Sequence, residues 1–357
     1  MFSMFKKKDR EVSINGTQQL IATPGETILQ AGTRQGIRMP HNCRVGGCGE
    51  CKCKLVSGKV KELTESAYIL SADELDQGYI LTCQSVPKTD ISIEIERLEN
   101  NGPNHEVKKL TGKVTHHQQL THDTVEIKIS LPEPLRYESG QYAQLSIPGV
   151  IEQSRAYSFA TAASDAYNNQ TVSFFIRAVP GGEMSNHMQQ ASVTGSTVEI
   201  EGPYGDFYLR DADQPILCVA GGSGLAPLKS LLEEAVKNNV SRPVTFLFGA
   251  RTQEDLYCIE EIAHIAKNWT NEFKFIPVLS DEPIDSNWDG LRGFVTEAIE
   301  NYLSINSTGN EKVYMCGPPP MIDAVEGTLQ TFSIRPTQIY YDKFLDQSHI
   351  NKTNTAA

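Results

Sequence analysis

Pro40-His-Asn-Cys-Arg-Val-Gly-Gly-Cys-Gly-Glu-Cys51 sets three cysteines, Cys43, Cys48 and Cys51, in a C-x4-C-x2-C run, and Cys83 follows after a long gap. That is the ligand spacing of a plant-type 2Fe–2S cluster, in which one loop supplies three thiolates and a distant segment the fourth. A loop wrapped around sulfide must carry little bulk. Gly46, Gly47 and Gly49 meet that need and free backbone N–H groups to point at sulfur. A zinc site favours paired C-x2-C knuckles, and only one is present. The other reading of the cysteines is a disulfide pair. Cys53 lies two residues past Cys51, on the alternate position of a strand and outside the ligand spacing.

Working outward, 357 residues suggest two or three domains, each able to bury a core. Beyond the cluster set, Cys53, Cys218, Cys258 and Cys316 remain. Three of them lie in apolar surroundings where buried free thiols are common, so a reduced, cytoplasmic setting is expected. The start, MFSMFKKKDR, has no apolar core for a signal peptide, and no run approaches the ~18 apolar residues of a spanning helix. Phe2, Met4 and Phe5 beside Lys6–Lys8 read as a frayed basic start rather than a membrane anchor. The net charge is −12, and all of the excess acid lies beyond residue 102. Such a surface argues against nucleic acid as a partner.

The first unit spans residues 10–99. It opens with a hairpin from Glu11 to Ala22 turning near Asn15-Gly16, followed by a helix from Thr27 to Gln35 and a strand from Cys51 to Val56. It closes with the alternating strand Ile91–Glu96 and a break at Asn100–Asn104. Residues 107–212 read as an antiparallel β-barrel. Its strands are expected at Lys109–Thr115, Thr124–Ser130, Tyr142–Ile147, Tyr157–Ala160, Thr171–Ala178 and Thr197–Glu201, with a helix at Met184–Gln190. Residues 213–345 alternate apolar strands (Pro215–Ala220, Val244–Phe248, Phe273–Val278, Lys312–Cys316) with helices such as Leu225–Lys237 and Gly290–Tyr302. That is a parallel α/β sheet. The tail, 346–357, reads as disordered.

Three further stretches carry chemistry. Arg155-Ala-Tyr-Ser158 offers a bidentate cation for a diphosphate, the Tyr157 ring to lie against a flavin, and the Ser158 hydroxyl near its reactive nitrogen. About 20 residues on, Val179-Pro-Gly181-Gly182 with Ser185 at a helix start reads as an anion site. Cys218-Val-Ala-Gly221-Gly222-Ser-Gly224-Leu-Ala-Pro227 joins a strand to a helix, where a nucleotide diphosphate binds in α/β sheets. Cys316-Gly-Pro-Pro-Pro-Met321 stiffens a second strand-end turn. Either turn could be purely structural. His116, His117 and His122 lie close in sequence, but no neighbouring Cys or carboxylate pair completes a metal site.

With these residues placed, the chain resembles ferredoxin–NAD(P)H reductases of the oxygenase electron-transfer type over residues 10–346. The likeness rests on Val45–Gly49 with Cys51, Lys61-Glu-Leu-Thr64, Val179–Gly182, Phe248-Gly-Ala-Arg251 with Asp255-Leu-Tyr257, and Cys316–Met321. The resemblance implies a multidomain α+β and α/β chain, with a β-grasp-like ferredoxin, an FAD barrel and a nicotinamide domain. It implies 2Fe–2S, FAD and NADH as cofactors, with Cys43, Cys48, Cys51 and Cys83 on the metal. Arg155, Tyr157, Ser158, Gly182 and Ser185 fall to the flavin, and Arg177 and Gly181 are implied as cofactor-binding residues. Gly221, Gly222, Gly224, Arg251 and Tyr257 fall to the nicotinamide nucleotide. Ser158, Cys316, Asp342 and Phe344 form the reacting centre; many relatives carry Glu where this chain has Asp342. The implied acceptor is a terminal oxygenase or hydroxylase, a membrane-bound diiron enzyme among the candidates, served by a monomeric cytoplasmic chain. A deoxysugar dehydrase is the alternative acceptor. Asp281 and Glu282 after Leu279-Ser280 favour NADH over NADPH, because a 2′-phosphate would be repelled there. Arg34, Arg38, Arg44, Lys52 and Lys54, against Glu50 alone, suggest a basic docking face around the cluster.

Overall fold

The computed structural model describes residues 8–98, 105–306 and 309–345. The basic start around Phe2, the Asn100–Asn104 break and the polar tail from Asp346 lie outside the described residues. The chain divides into two compact units, one of them reaching from His105 to Phe344 and the other containing the residues before it.

The N-terminal unit holds β1 (Arg10–Ile14), β2 (Gln18–Ala22), α1 (Ile28–Arg34), β3 (Lys52–Ser57), β4 (Val60–Glu62), α2 (Ala72–Asp76), β5 (Tyr79–Leu81), β6 (Ser85–Pro87) and β7 (Ile91–Glu94). Five strands form one sheet in the order β2-β1-β7-β3-β5, and β4 pairs with β6 apart from it. β1 and β7 run parallel, while the other pairs in the sheet are antiparallel. The hairpin turns where expected, with Asn15 and Gly16 at φ +51° and +67°. In α1, Ile28, Leu29 and Ala31 pack with Val12, Ile14, Leu20 and Ile93. A mixed sheet with one helix laid across it is the β-grasp-like form the resemblance implies.

In the second unit, the antiparallel sheet comes first. It holds β8 (Lys108–Gln119), β9 (Thr124–Ser130), β10 (Tyr142–Ile147), β11 (Ile151–Ser158), α3 (Ala163–Asn169), β12 (Thr171–Arg177), α4 (Glu183–Met188) and β13 (Thr197–Tyr204). The order is β11-β10-β13-β8-β9-β12, and a bridge between Phe159 and Phe174 joins its two ends into a barrel. Inside, Phe159 stacks on Tyr137 at 3.9 Å between ring centroids and packs on Phe174. β11 begins at Ile151, six residues earlier than the apolar pattern suggests. In its first half, buried Ile151 is followed by three consecutive exposed polar residues, Glu152, Gln153 and Ser154, with no alternation to announce a strand.

The third sheet holds β14 (Ile216–Gly221), α5 (Leu225–Lys237), β15 (Val244–Ala250), α6 (Ile259–Asn268), β16 (Phe273–Leu279), β17 (Leu291–Arg292), α7 (Val295–Asn306), β18 (Lys312–Gly317), α8 (Pro319–Thr331) and β19 (Ile339–Lys343). All its pairs are parallel, in the order β17-β16-β15-β14-β18-β19. β14 is buried throughout, as a central strand covered on both faces must be. The helix expected from Gly290 starts only at Val295, because β17 and a turn at Gly293 (φ +105°) intervene. Strand order reverses between β14 and β18, so their C-terminal ends diverge and open a crevice. Among the described residues, no helix is long and apolar enough to cross a membrane.

Candidate functional site

In the N-terminal unit, the loop before β3 brings the four expected thiols together. Cys48, Cys51 and Cys83 are buried and Cys43 is partly covered. Cys51 Sγ lies 3.2 Å from Cys83 Sγ with no bond between them, and Cys43 pairs with Cys48. The Gly47 N–H donates to Cys43 Sγ at 3.3 Å. Its hydrogen bond with Cys48, aided by N–H groups of Val45, Gly47 and Cys48, overcomes burial and holds the Cys43 thiol down at about 6. Cys83 is lowered by Cys51, against burial, with help from Gln84 and the Gly46 N–H. Cys48 and Cys51 are pushed the other way, by their paired thiols, by burial and by neighbouring negative charge. Four sulfurs so crowded cannot all ionise unless cations lie among them, which is the condition iron fulfils. The loop's shape depends on its glycines. Gly46 and Gly49 have φ near +80°, and a Cβ at Gly46 would stand 2.7 Å from Gln84 Cγ. Cys53 is separate: it sits in the core of the sheet with its thiol pushed up to about 12 by burial alone.

In the second unit, Ser158, Asp342 and Cys316 come together at the ends of β11, β19 and β18. Ser158, at the end of β11, donates to Asp342 Oδ2 at 3.3 Å. Asp342 on β19 is the cross-strand partner of Cys316 on β18. All three are buried. Burial, then the nearby Asp342 charge, keeps Cys316 a neutral thiol. The Phe344 N–H donates to the Gly317 carbonyl at 2.9 Å, fixing the chain after β19 beside the same turn. Two strand-end turns press together here. A Cβ on Gly224 would lie 2.1 Å from the Cys316 carbonyl oxygen, and one on Gly221 would lie 2.5 Å from Met321 Sδ. Those two glycines are therefore required by packing, and Gly222 (φ +53°) faces the open side. The Tyr257 hydroxyl donates to the Gly222 carbonyl at 3.0 Å, and its ring is wedged against Phe175 and Phe248.

The flavin candidates lie on the barrel. Tyr157 and Ser158 pair with Ala143 and Tyr142 across β10. The Arg155 guanidinium folds back onto the Gln153 and Ser154 carbonyls. Gly181 turns at φ +72°, and the Gly182 N–H donates to Val179. Ser185 Oγ accepts from the Val179 N–H and donates to the Gly182 carbonyl, so this hydroxyl shapes the loop.

A cavity of about 300 Å³ opens between barrel and parallel sheet. Arg177, Gly221, Gly222, Arg251 and Tyr257 line it, with Asp255 and Ser280 from the quoted motifs, and with residues that sequence reading missed: Thr121, Asp123 and Phe294. Arg177 thus faces this cavity from the barrel. His122 lies near two carboxylates, its sequence neighbour Asp123 and the distant Asp255, so the carboxylate pair not expected beside these histidines is present. Glu282 is fixed by the Gln253 backbone and side-chain N–H groups at 2.8 and 2.6 Å.

Three family models match in succession: the 2Fe-2S iron-sulfur cluster binding domain over residues 12–88, the oxidoreductase FAD-binding domain over 111–208 and the oxidoreductase NAD-binding domain over 218–327. The chain is 38% identical to the xylene/toluene monooxygenase electron transfer component of Pseudomonas putida, covering 94% of each chain. It is 35% identical to the toluate 1,2-dioxygenase electron transfer component of the same organism, covering 92% of this chain and 95% of that one. Among solved structures, an Amycolatopsis cytochrome P450 reductase superposes with a TM-score of 0.75 at 33% identity, covering 94% of this chain and 98% of the other.

Proposed function

The chain belongs to the family of iron–sulfur flavoprotein reductases that act as electron-transfer components of oxygenases, and we propose that it draws electrons from NADH for a terminal oxygenase or hydroxylase. The observation that carries this reading is the meeting of Ser158, Asp342 and Cys316 from two different sheets, in a chain that also brings three thiols of one loop together with a fourth, Cys83, from a distant segment. FAD supplies the exchange between a two-electron hydride donor and a one-electron cluster.

The chain's own residues divide the work. Cys43, Cys48, Cys51 and Cys83 hold the cluster, with the loop N–H groups stabilising sulfur charge. Arg155, Tyr157, Gly181, Gly182 and Ser185 seat the flavin on the barrel. The Ser158 hydroxyl, held by Asp342, would present its oxygen at the flavin edge, where it would give a proton a short path to a buried carboxylate. Cys316, kept neutral, would stand beside the nicotinamide ring without adding charge. Tyr257 fixes the Gly222 turn that takes the dinucleotide, so the donor enters a preformed crevice. The chain works as a cytoplasmic monomer built of modules at 10–99, 107–212 and 213–345, and a membrane-bound diiron enzyme is one acceptor it would suit.

NADH is the donor because Ser280 at the cavity edge is followed by Asp281 and by Glu282, whose carboxylate is pinned in place. Arg251, a cavity-lining cation that could meet a 2′-phosphate, lies 3.1 Å from Asp255. Anaerobic mixing with NADH should bleach the flavin and then the cluster. NADPH should give a kcat/KM at least about tenfold lower, the scale of one unfavourable charge contact. Equal use of both nucleotides would refute the assignment of the donor.

A further inference from the structure

Asp123 stands on the short loop between β8 and β9, at the barrel's side of the cavity. Its Oδ2 accepts from Arg177 Nε at 2.8 Å and lies 3.7 Å from Arg251 Nη2. Its Oδ1 accepts from the Thr121 and Thr124 hydroxyls at 3.1 and 3.0 Å. The Asp123 carbonyl also accepts from the Ala178 N–H at 2.7 Å, tying this loop to the residue after Arg177. Arg177 comes from the barrel and Arg251 from the end of β15. Beyond Arg251 the network continues to Asp255 at 3.1 Å, and His122 lies 3.7 Å from both carboxylates and 3.5 Å from Arg251. The Nη1 end of Arg177 reaches the Gly222 turn, 3.2 Å from where a Cβ would stand.

Two guanidinium groups on opposite walls of one cavity repel each other unless an anion lies between them. With Arg177 and Arg251 already compensating both carboxylates, a divalent cation would have to displace two charge-assisted hydrogen bonds, so the group is not arranged as a metal site. It is arranged to keep two cations beside a glycine turn. We propose that Asp123 is a positioning residue for the nicotinamide dinucleotide: one carboxylate, fixed by two threonines, aligns Arg177 and Arg251 from separate sheets so that both face the diphosphate. The proposal rests on the reading of this crevice as the nucleotide site. Burial works to raise the Asp123 pKa, but the Arg177 hydrogen bond and charge, with the threonine hydroxyls, outweigh it and keep the carboxylate ionised.

The test compares wild type with Asp123→Asn and Thr124→Val, using KM and kcat for NADH with ferricyanide and the Kd for ADP-ribose, a non-redox diphosphate probe. Asp123→Asn should raise KM and the ADP-ribose Kd about tenfold, ~1.4 kcal/mol, with kcat within about twofold. Thr124→Val keeps the charge but loosens it, and should shift both constants in the same direction by a smaller factor. Asp123→Glu should restore much of the loss. Unchanged or tighter ADP-ribose binding in Asp123→Asn would overturn the proposal. So would a fall in flavin content or Tm that accounts for the whole effect. If wild type itself failed to bind ADP-ribose, the nucleotide reading would fall instead. Should Asp123→Asn not fold, Thr124→Val alone decides, since an unchanged Kd there counts against positioning.

Discussion

Cys53 and Cys51 are two residues apart and have opposite environments, which makes them the sharpest residue-level test. Cys51 faces Cys83 at 3.2 Å, whereas Cys53 faces the core and its thiol is pushed up to about 12 by burial. Cys51→Ala should abolish the cluster's visible absorption and electron paramagnetic resonance signal. Cys53→Ala should retain both and cost about 1 kcal/mol of stability for a small lost side chain. Loss of the signal in Cys53→Ala would show that the ligand set is wrong. The cysteines were legible because a loop ligand set is local, with three of four inside nine residues. Cys316 sits at the end of a strand that the apolar pattern marks, whereas β19, which carries Asp342, was not expected from the pattern, and Asp342 entered only through the resemblance. Asp123 was not legible. Its partner Arg177 is 54 residues away, and an Asp in a polar hairpin loop reads as an ordinary turn residue until the fold closes.

Helix α1, which leads into the cluster loop, is the element whose ends are best defined. Thr27 and Gln30 cap it reciprocally, Thr27 Oγ1 accepting from the Gln30 N–H and Gln30 Oε1 from the Thr27 N–H. Thr27→Ala should lower unfolding stability by about 1 kcal/mol in denaturant titration. The helix is also clamped by Arg34 to Glu26, and that hydrogen bond, working against burial, lowers the Glu26 pKa from 4.5 to about 2. A depressed carboxylate stabilises the folded state above its unfolded pKa and loses that contribution as pH falls through the folded value. The Tm gap between wild type and Glu26→Gln should therefore be full above about pH 5 and close as pH drops toward 2. A gap that widens in acid would contradict the clamp. Strands with strong alternation, such as β9 and β10, were legible to their ends. β11 and α3 were not: one carries polar residues over its first half, and the other, ASDAYNN, has no apolar stripe and buries only Ala166.

At the scale of the molecule, acid is concentrated in the second unit while the N-terminal one is balanced, so electrostatics bear on how the acceptor is met. The five basic residues from Arg34 to Lys54 suggest a cationic face, but the structure narrows it. Arg34 pairs with Glu26, Lys52 with Glu74, and Glu50 with Arg97. Ion pairs of this kind leave less field for a partner to feel, and of the other basic residues Arg44, exposed and at φ +60°, follows Cys43 directly in the chain. A residue so close to a ligand would lie at the edge an acceptor must approach. Delivery of electrons to a terminal oxygenase should then slow with added salt, only modestly because so few charges take part, and Arg44→Glu should slow it further at low salt. NADH-to-ferricyanide turnover provides the control, since electrons reach ferricyanide from the flavin and need not pass the cluster. Cys51→Ala should behave the same way, keeping ferricyanide reduction while losing cytochrome c reduction, because each unit has its own core. Delivery that ignores salt, with Arg44→Glu as fast as wild type, would mean that the acceptor reads the shape of the cluster loop and not its charge.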